Sequence, residues 1–382
     1  MRVAIVHHWF VTRGGGERVA ERFLLLFPQA ELFTLVASPE GLPRGAVGHK
    51  LHTSFLQRLP FARTHHRHML PLYPAATESL DLRGFDLVLT SDAGPIKGVR
   101  LSPGAVQICY CHSPMRYLYD SYEQYLASMT GLTRLFFRLA AGRVRAWDLK
   151  SAAKVTHFVA NSRYVAERIR RTYHRESTVI HPPIDLYLAR KATPGDHYLC
   201  AGRLVPYKCT ELAIEACAAL NRPLRIAGTG PEEPRLRKLA AALNAPVVFL
   251  GELTTDALWN EYAHCRALLF SADEDFGMVP LEAQACGRPV ICFGAGGSLE
   301  TVRGTGPKPT GVYFPEQTSA AMQQAIQHFE ANEATFSPQT AKAWAETFAT
   351  PIFLARIRAF VLRHVPAAAE AMLPFPAIQE PS

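Results

Sequence analysis

Two acidic residues follow an apolar run in the second half of the chain. Glu274 and Glu282 stand eight residues apart, and Gly277 lies between them where the chain turns into a helix. Carboxylates accept hydrogen bonds from sugar hydroxyl groups, so one could hold a sugar and the other a ribose. The amides of Phe276, Gly277 and Met278 could bind phosphate or hydroxyl oxygens, because the first N–H groups of a helix lack partners within it. The segment therefore suits a ligand with both sugar and phosphate.

Two basic residues lie five positions apart, directly after another apolar run. Arg203 and Lys208 stand in the sequence GRLVPYK. A fork-shaped guanidinium and a mobile ammonium can hold a diphosphate from two directions. Such a pair is often only a solvated surface feature. Its place after a predicted strand favours a binding role.

Glycines mark further strand ends. Gly14, Gly15 and Gly16 come shortly after the first strand and open a helix, where an anion such as a diphosphate could bind. The alternative is a plain flexible connector. Gly228 and Gly230 end the run PLRIAGTG. The first loop lacks the third glycine of the G-x-G-x-x-G fingerprint, which argues against a nicotinamide-dependent oxidoreductase.

A histidine completes the candidate set. His112 follows the run AVQICYC, and the unperturbed pKa of a histidine side chain suits acid–base or charge-tuning work. It is either a structural residue or a group that positions the donor sugar or the acceptor. His7 and His8, which end the first strand, are rival candidates.

The elements that must position these residues alternate between strands and helices. Short apolar runs separated by helical patterns predict parallel sheets covered on both faces, in an α/β fold of two doubly wound domains. We predict an N-terminal domain at 1–183, a C-terminal domain at 184–345, and a helix with a loose Pro-rich end at 346–382, the helix packing back on the N-terminal domain. The segment 180–196 is the predicted linker. Strands are predicted at RVAIVHH, ELFTLVA, FDLVLTSD, AVQICYCH, THFVANS, HYLCAGRL, PLRIAGTG, VVFLGEL, ALLFSAD, PVICFG and GVYF.

Open α/β sheets bind ligands outside the carboxyl ends of their strands. Because the candidate residues of both halves follow predicted strands, we expect them to border one shared cleft.

Composition limits the class of protein. Of 382 residues, 48% are apolar and 19% charged, which disfavours disorder, and no apolar run is long enough to cross a bilayer. The N-terminal apolar run is too short for a signal peptide, so a cytoplasmic protein is expected. The net charge of +8 favours anionic partners. The eight cysteines form no zinc framework, and no metal site is predicted.

These motifs together resemble the family 4 retaining glycosyltransferases, which have the GT-B fold of two facing Rossmann-like domains. The resemblance rests on the E-x7-E element at Glu274 and Glu282, the basic pair Arg203 and Lys208, and the glycine loop, with GTGPE, NSRYVAERI and HPPID as further matching segments. It covers nearly the whole chain. One departure is Cys209, where the family usually has a small residue such as glycine.

The resemblance implies a role for each matching residue. Arg203 and Lys208 would neutralise the donor diphosphate, Glu282 would hold the ribose and Glu274 the donor sugar. His112 would lie near the donor sugar on the acceptor side. The loop at Gly15 and Gly16 would close on the phosphates, and the amides near Phe276–Met278 would support the sugar and phosphate.

The family resemblance also indicates substrates. YCHSPMRYLYD and LPLYP are similar to a bacterial branch of mannosyltransferases of surface-polysaccharide assembly, so GDP-mannose is the first choice of donor and a UDP-sugar the alternative. The nucleotide sugar is a co-substrate, and no other cofactor is expected. Because Arg203 and Lys208 can stabilise the leaving diphosphate and no Asp-x-Asp element ends a matching strand, metal-independent transfer to a saccharide or lipid-linked acceptor is predicted.

Two basic, aromatic segments bear on the acceptor. Residues 54–74 and 134–150 mix arginines with Phe and Leu, which is typical either of solvated basic surface or of a segment that sits on anionic lipid. A peripheral enzyme on the inner face of the membrane is one reading. The histidines of 65–68 lack the spacing of metal ligands.

Proteins of other classes fit less well. A nucleotide-sugar epimerase would not require this combination of basic and acidic pairs and would turn over without an acceptor. A phosphorylase would need a longer chain. A non-catalytic nucleotide-sugar-binding protein would bind without transfer. Nucleic-acid binding is disfavoured because the basic residues are scattered and no binding motif occurs.

Overall fold

A computed structural model describes residues 1–12, 14–65, 69–127 and 129–373. The chain divides into two compact units. The first comprises Met1–Pro183 and the C-terminal segment from Pro351, and the second is Ile184–Thr350. The chain thus leaves the second unit after Thr350, a few residues later than the sequence pattern suggested.

The described part of the first unit contains a seven-stranded sheet, all of whose pairings are parallel, and a short parallel pair. The order in the large sheet is β3-β2-β1-β5-β7-β8-β9. The strands of this unit are β1 (Val3–Phe10), β2 (Glu31–Ala37), β3 (Leu51–Thr53), β4 (Asp81–Leu82), β5 (Leu87–Asp92), β6 (Arg100–Leu101), β7 (Val106–Cys111), β8 (His157–Ala160) and β9 (Ser177–Val179).

Helices cover this sheet, as the buried strands require. The helices of the N-terminal segment are α1 (Gly15–Leu26), α2 (Ala62–His65), α3 (Tyr73–Glu78), α4 (Tyr122–Ala127), α5 (Gly131–Lys154) and α6 (Arg163–Tyr173). Val3 and Ile5, on one face of β1, belong to the same core cluster as residues of α1. Ala4 and Val6, on the other face, belong to the same cluster as residues of α5. A sheet covered on both faces explains why its central strands read as nearly continuous apolar runs.

The second unit repeats the design with a six-stranded parallel sheet in the order β12-β11-β10-β13-β14-β15. This is the strand order of the Rossmann fold. Its strands are β10 (Tyr198–Ala201), β11 (Leu224–Ala227), β12 (Val247–Gly251), β13 (Ala267–Phe270), β14 (Val290–Phe293) and β15 (Gly311–Phe314). Its helices are α7 (Thr210–Leu220), α8 (Glu233–Ala242), α9 (Thr255–His264), α10 (Met278–Ala285), α11 (Ser298–Thr301), α12 (Ser319–Ala331) and α13 (Pro338–Glu346).

The last helix, α14 (Thr350–His364), packs on the first unit. Phe353, Leu354 and Ile357 are buried among residues of α1 and β1. Its amphipathic pattern in the sequence therefore marks a core-facing stripe. The Pro-rich end that the sequence pattern predicts to be loose falls largely on 374–382, which lies outside the described residues.

The predicted linker is only partly a connector. From Ile184 onward it belongs to the second unit, where Ile184 is buried and Leu186, Leu188 and Ala189 pack against the core. These apolar side chains lack a clear period because they pack from an irregular segment, which explains why the pattern looked like a linker.

Neither unit contains a helix that meets the length and hydropathy of a membrane span, within the residues described.

Candidate functional site

The strand order of the second unit brings two of the candidate loops together. β10 and β13 are neighbours at the point where the order of strands reverses, which is where open α/β sheets bind ligands. Arg203 and Lys208 follow β10, and Glu274 follows β13. The Nζ of Lys208 contacts the Oε1 of Glu274, so residues 66 positions apart in sequence meet at this strand end.

A shallow pocket lies at the same strand ends. Gly202, Arg203 and Lys208 line it on one side, and Ser271 on the other. Lys208 is largely buried and its Nζ lies 5.4 Å from the centroid of the Phe270 ring, whereas Arg203 is exposed. A largely buried ammonium beside an exposed guanidinium is an arrangement that can receive a diphosphate.

Gly228 and Gly230 are required by close approach of backbone. A Cβ on Gly228 would lie 2.0 Å from the carbonyl oxygen of Gly202, and one on Gly230 would lie 2.1 Å from that of Leu204. Gly228 also has a φ of +123°. These glycines therefore shape the loop that carries Arg203 and do not need to contact a ligand themselves.

Cys209 has the conformation that explains the family's preference for glycine at this position. Its φ of 49° and ψ of 42° are left-handed, and it stands directly between Lys208 and the start of α7. A side chain in this region is disfavoured by contact with the following carbonyl. The departure from the family pattern thus leaves the loop conformation intact at a cost in strain.

We expect Cys209→Gly to raise the free energy of unfolding by up to about 1 kcal/mol, because glycine adopts the left-handed region without penalty. Chemical denaturation measures this. Cys209→Ala, which removes the thiol but keeps a Cβ, is the matched control and should give little gain. Equal stabilisation by both variants would contradict the backbone explanation.

The segment after β13 holds the acidic pair. The N–H of Gly297 donates to the carbonyl oxygen of Glu274 at 2.7 Å, which fixes the backbone that carries the carboxylate. Gly277 caps the following helix with a φ of +90°, and α10 begins at Met278. Glu282 is therefore little more than one turn into the helix.

Glu282 lies in a more enclosed environment than Glu274. Its side chain is buried, and the hydroxyl of Tyr262 donates to its Oε2 at 3.0 Å. Phe276 is also buried, against Phe348 with ring centroids 5.8 Å apart. The buried ring anchors the turn from which the amides of Gly277 and Met278 extend.

The first unit forms a second cluster at its own strand ends. The Oγ of Ser91, near the end of β5, lies 2.8 Å from Nε2 of His112 and 3.1 Å from Nδ1 of His7, and it donates to the carbonyl oxygen of Gly16 at 3.0 Å. One hydroxyl group thus links His7 and His112 to the glycine loop. β1 continues to Phe10, so His7 lies within the strand and does not end it as the sequence predicted. His7 and His112, rivals in the sequence, belong to the same cluster.

The glycine loop is held by a carboxylate. α1 begins at Gly15, and the N–H of Gly14 donates to Oε2 of Glu17 at 3.1 Å. The Oε1 of Glu17 lies 3.7 Å from Nε2 of His7. Burial acts to raise the pKa of Glu17, but the contact with His7 outweighs burial and lowers it. A Cβ on Gly16 would lie 3.0 Å from the His7 ring, so a larger residue would crowd this cluster.

His112 is neutral in this environment. Burial, reinforced by the nearby His7, lowers the pKa of His112 to about 3. An unfolded histidine has a pKa near 6.5, so the unfolded chain binds more protons between these values. This part of the stability is complete above about pH 6.5 and is lost as the pH falls.

We expect the wild-type free energy of unfolding to fall more steeply than that of His112→Gln as the pH is lowered from about 7 to 5. The difference should reach up to about 1.4 kcal/mol per pH unit below 6.5. Urea unfolding at several pH values measures it. His328→Gln, at an exposed histidine of α12, should keep the wild-type slope. Parallel profiles for wild type and His112→Gln would contradict the lowered pKa.

Two residues of the first cluster escaped the sequence analysis. Ser91 ends a strand that was correctly located, and the rule of strand ends could have identified it. Glu17 stands three residues after Gly14, which is the spacing of a capping box. Ser91 contacts Gly16 across 75 residues and His112 across 21, and Glu17 contacts Gly14 within a loop. Contacts of these kinds are not visible in periodicity.

The predicted site residues form one cluster within each unit. Arg203, Lys208, Glu274 and the loop glycines lie in the second unit, and Gly15, Gly16 and His112 lie in the first. Within the described ranges, no three His, Cys, Asp or Glu side chains are grouped as metal ligands would be. Of the histidines at 65–68, those at 66 and 68 lie outside the described residues.

Sequence models of two families match the chain in succession. Residues 13–188 match the family described as Glycosyltransferase Family 4, and residues 190–347 match Glycosyl transferases group 1. The two matches together cover most of the chain, and they confirm the resemblance of the sequence to the family 4 glycosyltransferases with the GT-B fold.

Similar proteins of known name are bacterial glycosyltransferases. A GDP-mannose-dependent monoacylated α-(1-6)-phosphatidylinositol monomannoside mannosyltransferase of Corynebacterium glutamicum is 32% identical over 37% of this chain and 45% of its own. The lipopolysaccharide core biosynthesis mannosyltransferase LpsB of Rhizobium meliloti is 33% identical over 44% of this chain and 51% of its own length. A D-inositol 3-phosphate glycosyltransferase of Geodermatophilus obscurus is 33% identical over 40% of this chain and 41% of its own length. The chain therefore matches about half or less of these relatives' length.

Solved structures share the fold over nearly the whole chain. HepE of Anabaena in complex with UDP has a TM-score of 0.69 at 16% identity, covering 95% of this chain and 100% of its own. Sucrose-phosphate synthase of Thermosynechococcus elongatus has a TM-score of 0.69 at 18% identity, covering 96% and 100%. Identities this low show the fold alone.

Proposed function

We propose that the protein transfers a sugar from a nucleotide diphosphate sugar to a hydroxyl group of a saccharide or lipid-linked acceptor, with retention of configuration at the anomeric carbon. The observation that carries the proposal is the meeting of Lys208 and Glu274 at the switch point between β10 and β13, with Arg203 beside them. A cation for the diphosphate and a carboxylate for sugar hydroxyls are thereby adjacent.

The reaction explains why cations are needed at this place. The acceptor oxygen bonds to the anomeric carbon while the bond from that carbon to the diphosphate oxygen breaks, and the acceptor's proton passes to an oxygen of the leaving diphosphate. Negative charge on the leaving group grows as the bond breaks. Arg203 and Lys208 therefore stabilise the transition state more than the bound donor, which lowers the barrier.

The other predicted residues have supporting roles in this proposal. Glu274 holds hydroxyl groups of the donor sugar and Glu282 those of the ribose, while the amides of Gly277 and Met278 support the sugar and phosphate. His112 positions the donor sugar or the acceptor as a neutral ring, in keeping with its lowered pKa.

For the donor we propose GDP-mannose, with a UDP-sugar as the alternative. The mannosyltransferase names of two relatives support the first choice, and the UDP complex of HepE supports the second. A thermal-shift panel of GDP, UDP, ADP and their sugars distinguishes them. A ligand that binds only the folded state at about 100 times its Kd adds about 2.7 kcal/mol of stability.

The panel has a matched pair of variants. Lys208→Met should lose most of the shift given by the correct nucleotide, whereas Lys238→Met, at an exposed lysine of α8, should retain it. A full shift with Lys208→Met would place the diphosphate elsewhere, and absence of a shift with every nucleotide would overturn the proposed donor class. Saturable binding without transfer to any acceptor would identify a binding protein instead.

We also expect transfer to continue without a divalent metal, because the basic pair supplies the charge that a metal would supply. Activity is measured before and after treatment with EDTA, and the chelated sample is then gel-filtered to remove EDTA as a control for its direct effects. Loss of turnover that only a divalent cation restores would contradict this prediction.

A further inference from the structure

Helix α5 exposes a row of large apolar side chains to solvent. The exposed fractions are 72% for Leu132, 53% for Leu135, 68% for Phe136 and 53% for Leu139. Their spacing of three, one and three residues places them on one side of the helix. We call this side, with Arg138 at its edge three residues after Leu135 and Arg143 one turn beyond Leu139, the α5 face. A contiguous exposed apolar patch of this kind marks a contact surface.

The core does not need this row. A different row, formed by Phe137, Ala141 and Val144, packs into the first unit together with Leu70 and Tyr73. By helical geometry the packed row lies on the opposite side of α5. The helix therefore has two apolar sides, and folding of the unit accounts for only one of them.

The charged residues that α5 exposes to solvent are all basic. Arg134, Arg138, Arg143, Lys150 and Lys154 are exposed along α5. The one acidic residue of the helix, Asp148, is fully buried and paired with Lys97. The surface that α5 presents to solvent is therefore apolar and basic, without a carboxylate from the helix.

A neighbouring segment extends the same chemistry. The end of the basic stretch 54–74, at Leu70–Leu72, contacts α5, and Leu72 is 39% exposed. Earlier in that stretch Phe61 is 74% exposed, next to the exposed Arg58 and Arg63. The two segments that the sequence identified separately thus both belong to the first unit, and the later one packs against part of the earlier.

We propose that the α5 face binds the surface of an anionic lipid bilayer, with the leucines and Phe136 inserted among acyl chains and the arginines at the headgroups. An interfacial helix requires an apolar stripe flanked by basic residues, and this helix has both. A second copy of the chain is the less favourable occupant, because an isologous contact would oppose identical arginines and bring no carboxylate from α5 to pair with them. Bilayer binding does not depend on the proposed transfer reaction and can be tested separately.

Flotation with lipid vesicles tests the proposal on the full chain, without donor or acceptor. At low ionic strength the wild type should float with vesicles of phosphatidylcholine and phosphatidylglycerol, should float far less with phosphatidylcholine alone, and should be released by high salt. Failure to float with the anionic vesicles would overturn the proposal.

Paired variants locate the surface. Arg138→Gln with Arg143→Gln should weaken binding about 30-fold, and Leu135→Ser with Phe136→Ser should weaken it at least about 100-fold. The matched controls are Lys238→Gln with Arg356→Gln for charge, and Leu243→Ser with Val248→Ser for exposed apolar residues elsewhere. Equal losses in the variants and their controls would overturn the assignment to α5.

Sedimentation velocity tests the alternative that the α5 face binds a second copy of the chain. The proposal expects the wild type and Leu135→Ser with Phe136→Ser to have the same sedimentation coefficient without lipid. A wild-type dimer that this double variant abolishes would overturn the proposal in favour of self-association. Nucleotide binding in the thermal-shift panel should be unchanged by the α5 variants, so failure of bilayer binding and failure of the proposed activity are distinguishable.

Discussion

Replacing Lys208 by alanine should reduce kcat/KM for sugar transfer by about 10²–10³-fold, which corresponds to about 2.7–4 kcal/mol of transition-state stabilisation. The Nζ of Lys208 is largely enclosed at the strand-end pocket, where water screens its charge weakly, and Arg203 is exposed beside it. The alanine variant loses the charge that opposes the growing negative charge of the leaving diphosphate. Initial rates with the donor that the thermal-shift panel identifies measure the effect.

The fold should survive this change. The Glu274 side chain keeps 19% of its surface accessible, so its carboxylate can reach water when the ammonium of Lys208 is removed. Lys208→Ala should therefore unfold at nearly the wild-type denaturant concentration, and Lys238→Ala should have wild-type rates. Lys208→Arg keeps the charge and should recover part of the activity. Wild-type turnover of Lys208→Ala would refute the proposed role of the basic pair.

Replacing Lys97 by methionine should lower the free energy of unfolding by about 3–5 kcal/mol. The Nζ of Lys97 is fully buried, 3.1 Å from Asp92 and 2.5 Å from Asp148. Burial acts to lower the pKa of Lys97, but the two carboxylates outweigh it and raise the pKa above its usual value. Methionine has a similar shape but would leave two buried carboxylates without a cation.

The structure indicates how to separate this charge effect from a packing effect. Burial already raises the pKa of Asp92, and loss of Lys97 would raise it further, so the variant would take up protons more readily when folded. The difference in the free energy of unfolding between wild type and Lys97→Met should therefore shrink as the pH is lowered. Hydrogen exchange in β5 and β7 reports the first unit by itself. Lys50→Met, at an exposed lysine 3.5 Å from Glu31, should change stability by less than about 0.5 kcal/mol. A pH-independent difference would contradict the charge explanation.

Local patterns in the sequence were sufficient to locate most regular elements. The strands Glu31–Ala37 and Gly311–Phe314 have the bounds that the sequence predicts. The reason is physical: each is an apolar run of the correct period, ended by residues that break it. The sequence also supplied the residue types of the site, because strand ends in a parallel sheet all point to one edge.

Tertiary structure decided which of these residues meet. The contact of Lys208 with Glu274 depends on β10 and β13 being neighbours, and the links of Ser91 to His7 and His112 depend on β1, β5 and β7 lying side by side. The enclosure of Lys97 between two carboxylates has no periodic signature either. Strand order depends on long-range packing, which no window of local sequence contains.

The same division holds for the basic character of the chain. Composition alone, with 41 Lys and Arg against 33 Asp and Glu, determined that anionic partners are favoured. Only the packing of α5 decided that Phe137 and Val144 face the core while Leu135 and Phe136 face solvent beside exposed arginines. A helix with apolar residues on two sides gives one blended pattern in sequence, and burial against the rest of the fold is what separates the two.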